Sequence, residues 1–201
     1  MRAVIILGNI ENINNDVLEN SYIIGVDKGA YLAYKRNIRL DIAIGDFDSI
    51  KEVEYNELFN YTKIIKLNSI KDSTDTNEAI KLCKDYNEII ILGGIKGKRI
   101  EHFYANYLEL VNNPQLSMMD DNSYIITTSN DVIPNNNYKY ISIFSIAPES
   151  IITLNGFKYN LNNYKLNNTD PLCISNEIIN NPIIKIHSGR VLIIYSKSDN
   201  E

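Results

Sequence analysis

Apolar residues along this chain fall into two regimes that meet near residue 115. In the first, short apolar runs alternate with stretches of helical period. Val4-Ile5-Ile6-Leu7 is such a run and stops at Gly8; Tyr22 to Val26 stops at Asp27; Ile42 to Ile44, Lys63 to Leu67 and Ile89 to Leu92 follow. Apolar runs without alternation are the signature of strands buried on both faces. Between them, Gly29 to Arg36, Thr76 to Tyr86 and Arg99 to Val111 read as helices. Ala79, Ile80 and Cys83 share a face of the second, and Phe103, Leu108 and Leu110 are apolar positions of the third. Buried strands separated by helices predict a parallel sheet with helices packed over it.

After Asn112-Asn113-Pro114 the helical period disappears. Tyr124 to Thr128, Tyr140 to Ile146, Ile151 to Leu154, Ile183 to His187 and Val191 to Tyr195 are short β-rich runs, separated by Asn, Gly and Pro clusters. That spacing predicts an antiparallel sandwich or small barrel. The expected fold class is therefore α/β: a parallel-sheet domain over residues 1–114, then an all-β sandwich or small barrel over 115–201. Asn12 to Asn20 and Asn160 to Thr169 receive no assignment. Heavy use of Ile, Asn, Lys and Tyr fits an AT-rich coding bias and makes Asn-rich stretches look more loop-like than they are.

The formal net charge of −5 and sequence pI of about 5.1 come without a basic stripe, which argues against nucleic-acid binding by counterion release. An acidic protein still binds an acidic nucleotide when a metal supplies positive charge. Cys83 and Cys173 are far apart and form no metal-ligand pattern, which suits a reduced compartment. No apolar run is long enough to span a bilayer, and the N-terminus turns polar too soon for a signal peptide. A cytoplasmic protein without membrane or nucleic-acid partners is expected.

In an open parallel sheet, ligands sit beyond the carboxyl ends of the strands. Four chemically rich segments fall there. Asp27-Lys28-Gly29-Ala30 ends the second strand. Gly45-Asp46-Phe47-Asp48-Ser49 ends the third, where alternation along an extended chain puts Asp46 and Asp48 on one side and Phe47 on the other. Paired carboxylates repel and lose solvation unless a divalent cation joins them. Lys71-Asp72-Ser73-Thr74-Asp75 follows the fourth strand, and Gly93-Gly94-Ile95-Lys96-Gly97-Lys98-Arg99 the fifth; each opens a helix. Helix N-termini hold phosphates through free N–H groups and the positive dipole end, and glycines at 93, 94 and 97 permit close approach and positive φ. Lys96, Lys98 and Arg99 add charge, Arg in bidentate fashion. The glycine spacing is not that of a Walker loop.

Each segment also has a purely structural reading. Asp72 or Ser73 could cap a helix, the glycine loop could be a tight turn, Asp46 and Asp48 could form a turn, Lys28 and Lys98 could be solvated, and His102 reads more readily as a surface or core histidine than as a catalytic one. Convergence on one sheet edge weighs against all of these together, and the first domain is accordingly expected to bind a nucleotide.

The motifs resemble the thiamine pyrophosphokinase family. Asp27-Lys28-Gly29-Ala30 is similar to its Asp-Gly-Gly-Ala, Leu40 to Ser49 to its Pro-Asp-apolar-apolar-Gly-Asp-Phe-Asp-Ser, and Lys71 to Asp75 to its Lys-Asp-x-Thr-Asp. Gly97 to His102, with Ala105-Asn106, resembles its Gly-Gly-Arg-x-Asp-His and following helix. In the β-rich half, Ser142 to Ser145, Gly156 to Leu161 and Ile174-Ser175-Asn176-Glu177 are similar to further family segments, in the right order. Lys28 replaces a glycine, Tyr31 an asparagine, Lys98 a glycine and Glu101 an aspartate. The resemblance implies transfer of pyrophosphoryl from ATP to the hydroxyl of thiamine, giving thiamine diphosphate and AMP. It implies Mg²⁺ on Asp46, Asp48 and Asp75, with Arg99 and Glu101 also catalytic. Asp27, Lys28, Gly29, Ser49, Lys71, Asp72, Thr74, Gly94, Arg99 and His102 would serve ATP. Ser175 and Asn176 would serve thiamine, across the interface of a homodimer. Asp46 and Glu101 are both candidates to accept the hydroxyl proton.

Two other classes stay open from the residues alone. Asp-x-Asp after a strand also begins haloacid-dehalogenase-like phosphatases, although those carry it on the first strand. A non-catalytic nucleotide-sensing module would bind ATP without turnover.

Overall fold

The computed structural model describes residues 1–8, 10–134 and 137–198. It divides into two compact units. The first comprises Met1–Glu109 with Gln115–Asp121, the second Leu110–Pro114 with Asn122–Glu201. The chain thus passes between the units three times, at 109/110, 114/115 and 121/122.

In the first unit, strands β1 (Arg2–Ile6), β2 (Ser21–Val26), β3 (Ile42–Gly45), β4 (Lys63–Lys66), β5 (Glu88–Leu92) and β6 (Leu116–Met119) pair in parallel, in the order β6-β5-β1-β2-β3-β4. Ala3, Val4, Ile5 and Ile6 of the central strand are fully buried, as a strand covered on both faces requires. β4 pairs on one side and carries lysines at both ends, which discourages further pairing.

Helices α1 (Asn15–Leu18), α2 (Lys28–Lys35), α3 (Glu52–Tyr61), α4 (Asp75–Leu82) and α5 (Ile100–Asn112) connect the strands. The α2 and α5 spans match the periodic stretches, whereas α4 stops at Leu82 rather than Tyr86, with Cys83 as its C-cap. α3 was invisible to periodicity because Leu58 is its only fully buried residue while Val53 and Phe59 stay exposed. A bond from the Lys51 N–H to Glu54 Oε2 (2.7 Å) starts it. α1 occupies the unassigned stretch after β1, capped by Asn14 Oδ1 on the Asp16 N–H. β6 was assigned by sequence to the following domain; its pairing with β5 places it here.

The second unit is antiparallel: β7 (Ser123–Thr128), β8 (Tyr140–Ser145), β9 (Glu149–Phe157), β10 (Leu161–Asn167), β11 (Asn176–Ser188) and β12 (Val191–Ser196), ordered β7-β12-β8-β11-β9-β10. β11 pairs with β8 through Asn176 and Glu177 only, then passes to β9, so it joins two three-stranded groups. Ile141, Ile143, Val191 and Ile193 from one group pack with Ile152, Leu154, Leu166 and Ile184 from the other. β10, with sequence Leu-Asn-Asn-Tyr-Lys-Leu-Asn, lies in the second unassigned stretch; only Leu166 of it is buried, so its composition looked like loop. Cys83 and Cys173 are buried and free, and burial pushes their thiols up to about 12 and about 11. No helix among the described residues is long and apolar enough to cross a membrane.

Candidate active site

Asp27 leaves β2 with φ +46 and ψ −121, just before α2. Its backbone N–H donates to Ile44 O (3.0 Å), and its Oδ1 accepts the Phe47 N–H (3.2 Å). The turn after β3 is built against it. Gly45 has φ +154, and a Cβ there would overlap Asp27 Oδ1. Phe47 has φ +60 and is buried, its ring edge-on to Tyr55 at 5.4 Å. Asp46 Oδ1 accepts the Asp48 N–H at 3.1 Å. Strand alternation therefore does not place Asp46 and Asp48: β3 ends at Gly45 and the chain turns at Phe47. A buried aromatic anchor and an Asx-type bond set the direction instead, leaving Asp48 and Ser49 exposed.

The carboxylates nonetheless share one field. Burial and then the charge of Asp75 push the Asp27 carboxyl up to about 6; Asp46 and Asp48 add to this and the Phe47 N–H opposes it. Lys71 lies in the same field. Burial works to lower its pKa, but Asp75, Asp46 and Asp27 together hold it above the usual lysine value. Its Nζ stands 3.0 Å from Asp75 Oδ1 and donates to Asn68 O at 3.1 Å. Three strand ends and the start of α4 thus bring four carboxylates and one ammonium within electrostatic reach of one another.

Thr74, and neither Asp72 nor Ser73, caps α4: its hydroxyl accepts the Asn77 N–H at 3.1 Å. Asp72 is exposed, and the Ser73 hydroxyl donates to Glu78 Oε1. Gly29 is buried, and a Cβ there would run into Ile6 O, so the packing of α2 on β1 explains this glycine. Lys28 beside it is exposed.

The loop after β5 turns through Gly93 (φ +89) and Gly94 (φ +74); Gly97 is not at positive φ. Gly93 packs on Gly8 O, and buried Asn106 donates from Nδ2 to Gly94 O at 3.2 Å. Asn106 thereby pins the loop at Gly94, a contact twelve residues apart in sequence. Lys96, Lys98, Arg99, Glu101 and His102 are exposed. Arg99 Nε lies 4.0 Å from Glu101 Oε1, and with side chains 71% and 67% exposed this pair holds neither residue firmly. Strand spacing puts this loop roughly 10 Å from the end of β2, with β1 between them.

In the second unit Ser175 is exposed at φ +52, with its N–H on Ser142 Oγ at 3.0 Å. Asn176 is buried, and its amide is spent on one partner. Oδ1 accepts the Tyr159 N–H (3.0 Å) and Nδ2 donates to Tyr159 O (2.7 Å). Tyr159 itself is 65% exposed. The motifs include both Asn176 and Tyr159, but the clamp that joins them spans 17 residues and shows only in the fold.

The acidic group fits a hard divalent cation. Its carboxylates repel one another, and buried Asp75 Oδ1 has Lys71 near it without a well-aligned hydrogen bond. Among the described residues no three His, Cys, Asp or Glu side chains are arranged to hold a metal by themselves. A ready-made triad of Asp46, Asp48 and Asp75 is therefore not present. Mg²⁺ commonly takes one or two carboxylates and completes its shell with water and phosphate.

A parallel α/β unit whose carboxyl edge carries this cluster, followed by an antiparallel β unit, defines the class. Residues 13–119 match the thiamin pyrophosphokinase catalytic domain, and residues 123–193 the thiamin pyrophosphokinase vitamin B1 binding domain. The thiamine pyrophosphokinase of Bacillus subtilis (strain 168) is 30% identical over 209 residues, covering 97% of this chain and 98% of the relative. The crystal structure of thiamine pyrophosphokinase from Bacillus subtilis is similar with a TM-score of 0.86 at 28% identity, covering 98% of this chain and 99% of its own. Yeast thiamin pyrophosphokinase shares the fold, with a TM-score of 0.80 at 14% identity over 97% of this chain and 86% of its own. The chain belongs to the thiamine pyrophosphokinase family.

Proposed function

We propose that this enzyme transfers the pyrophosphoryl group of ATP to the hydroxyl of thiamine, giving thiamine diphosphate and AMP with Mg²⁺ as the required ion. The observation that carries the reading is the gathering of Asp27, Asp46, Asp48, Asp75 and Lys71 at one sheet edge, in a chain of this family.

Asp75, with Asp46 or Asp48, would hold Mg²⁺, which when bound neutralises phosphate charge and orients the transferred group. Lys71 and Arg99 supply positive charge to the phosphate oxygens. Arg99 is exposed and weakly paired, so it is free to grip them in bidentate fashion. Gly94 and the starts of α2, α4 and α5, with Lys28, Ser49, Asp72, Thr74 and His102, line the edge along which the triphosphate lies. The thiamine hydroxyl oxygen attacks the β-phosphorus, the bond from that phosphorus to the α,β-bridging oxygen breaks, and AMP leaves. The hydroxyl proton passes to a carboxylate, Asp46 or Glu101; a loose transition state asks little of this base. Asp27 holds the Phe47 turn. In the second unit Ser175 would meet thiamine directly, while Asn176 acts through Tyr159, whose exposed ring suits a cationic thiazolium.

The reading includes a cytoplasmic homodimer with a site shared between subunits. Mixing an Asp75→Asn variant with a Ser175→Ala/Asn176→Ala variant should restore activity in heterodimers; confirmed heterodimers without recovery exclude sharing.

Incubation with ATP, Mg²⁺ and thiamine should release AMP and thiamine diphosphate in equal amounts. ADP or free phosphate as the stoichiometric product contradicts the proposal. A dehalogenase-like phosphatase finds no support in the turn after β3, because Asp46 spends Oδ1 on the Asp48 N–H and follows the third strand.

A further inference from the structure

Among the described residues, Lys71 is the cation placed inside the acidic group. It follows β4 on an irregular segment and reaches forward to Asp75, the first residue of α4. The two side chains are 17% and 22% exposed, so the pair is largely withdrawn from water. The contact is close, at 3.0 Å, yet Asp75 Oδ1 has no well-aligned hydrogen bond. The ammonium is held there by close contact with the carboxylate, with Asn68 O as its aligned acceptor. Thr74 and Asp75 are fixed by the start of α4, while Lys71 sits on a flexible four-carbon stem. Of the two partners, the lysine is the one able to leave.

We infer that Lys71 is a built-in counter-ion that occupies the cation position at Asp75 until a metal–nucleotide pair arrives, and that it then moves from carboxylate to phosphate. Rested on the Mg²⁺–ATP reading above, this adds a coupling. A divalent ion alone must push the ammonium off Asp75 and leave it with the neutral Asn68 O as its aligned acceptor, so it binds weakly. A nucleotide alone brings phosphate to carboxylates that are only partly neutralised. Together, the ion takes Asp75 and the phosphates take Lys71, and both charges stay paired. Lys71 therefore makes metal and nucleotide binding mutually dependent, a coupling free energy that is reciprocal by linkage.

The test titrates Mn²⁺, followed by its magnetic resonance signal and by calorimetry, into wild type, Lys71→Met and Lys71→Arg, each with and without an ATP analogue carrying a methylene between the α- and β-phosphorus. Without nucleotide, Lys71→Met should bind Mn²⁺ roughly tenfold more tightly than wild type, and Lys71→Arg should stay near wild type. With the analogue present the advantage of Lys71→Met should vanish or reverse. Mn²⁺ should also raise the melting temperature of Lys71→Met more than that of wild type when nucleotide is absent, which checks that the variant is folded. Unchanged or weaker Mn²⁺ affinity in folded Lys71→Met, with wild type still binding Mn²⁺ alongside the analogue, overturns the counter-ion role and leaves the metal site standing. Absence of Mn²⁺ binding in every protein, analogue included, overturns both.

Discussion

Asp27 Oδ1 accepts the backbone N–H of Phe47 at 3.2 Å, and both residues stand at positive φ, +46 and +60. One bond ties the end of β2 to the turn that carries Asp46 and Asp48. It holds two non-glycine residues in conformations that cost on the order of 1–3 kcal/mol each, and such strain concentrates at functional sites.

Gly45 makes that bond possible, because any Cβ there would overlap the accepting oxygen. Gly45→Ala is expected to lower stability by about 2–3 kcal/mol. Turnover should fall with it, since the Asp46–Asp48 turn is displaced. Urea unfolding and AMP release measure the two effects.

The Asp27 carboxyl, at about 6 against an ordinary 3.8, makes stability depend on pH. Between those values the folded chain keeps a proton that the unfolded chain gives up. The stabilisation is therefore full below the lower value and is lost as pH rises through the upper one. Wild type should lose about 1–2 kcal/mol relative to Asp27→Asn between pH 4 and pH 7, allowing for screening of a partly exposed group. Denaturant unfolding of both proteins across that range should give diverging curves; parallel curves would show that Asp27 titrates normally.

Asp48 is exposed and gives the turn its backbone N–H rather than its carboxylate, so its role can be separated from folding. Asp48→Asn should change stability by less than about 0.5 kcal/mol while reducing kcat by roughly 100-fold or more. Chelating divalent metal should abolish turnover in wild type with little change in circular dichroism. A fully active Asp48→Asn protein would remove this residue from the metal site.

Asn176→Ala removes both bonds to the Tyr159 backbone in a part-buried contact, at a cost of about 1–2 kcal/mol. With Tyr159 released, the KM for thiamine should rise and the KM for ATP should stay close to wild type. Steady-state kinetics with each substrate varied in turn makes the comparison.

What the sequence determined follows from local rules. Unbroken apolar runs made strands, largely buried in β1, β2, β3 and β5 but not in β4, and Asp27, Asp46 and Gly94 fell just past strand ends while Asp75 opens α4. The motifs in their order identified the family. Elements whose stability comes from a few contacts were illegible: α3 buries one residue fully, and β10 is an Asn-rich edge whose partner lies in β9. β6 became part of the first sheet only through its ladder to β5. Tertiary structure alone decided that Asp46 and Asp48 are arranged by a turn anchored at Phe47, that Lys71 pairs with Asp75, and that Asn176 clamps Tyr159. Local spacing fixes which residues reach an edge, but the direction in which a side chain points there depends on backbone torsions and partners distant in sequence.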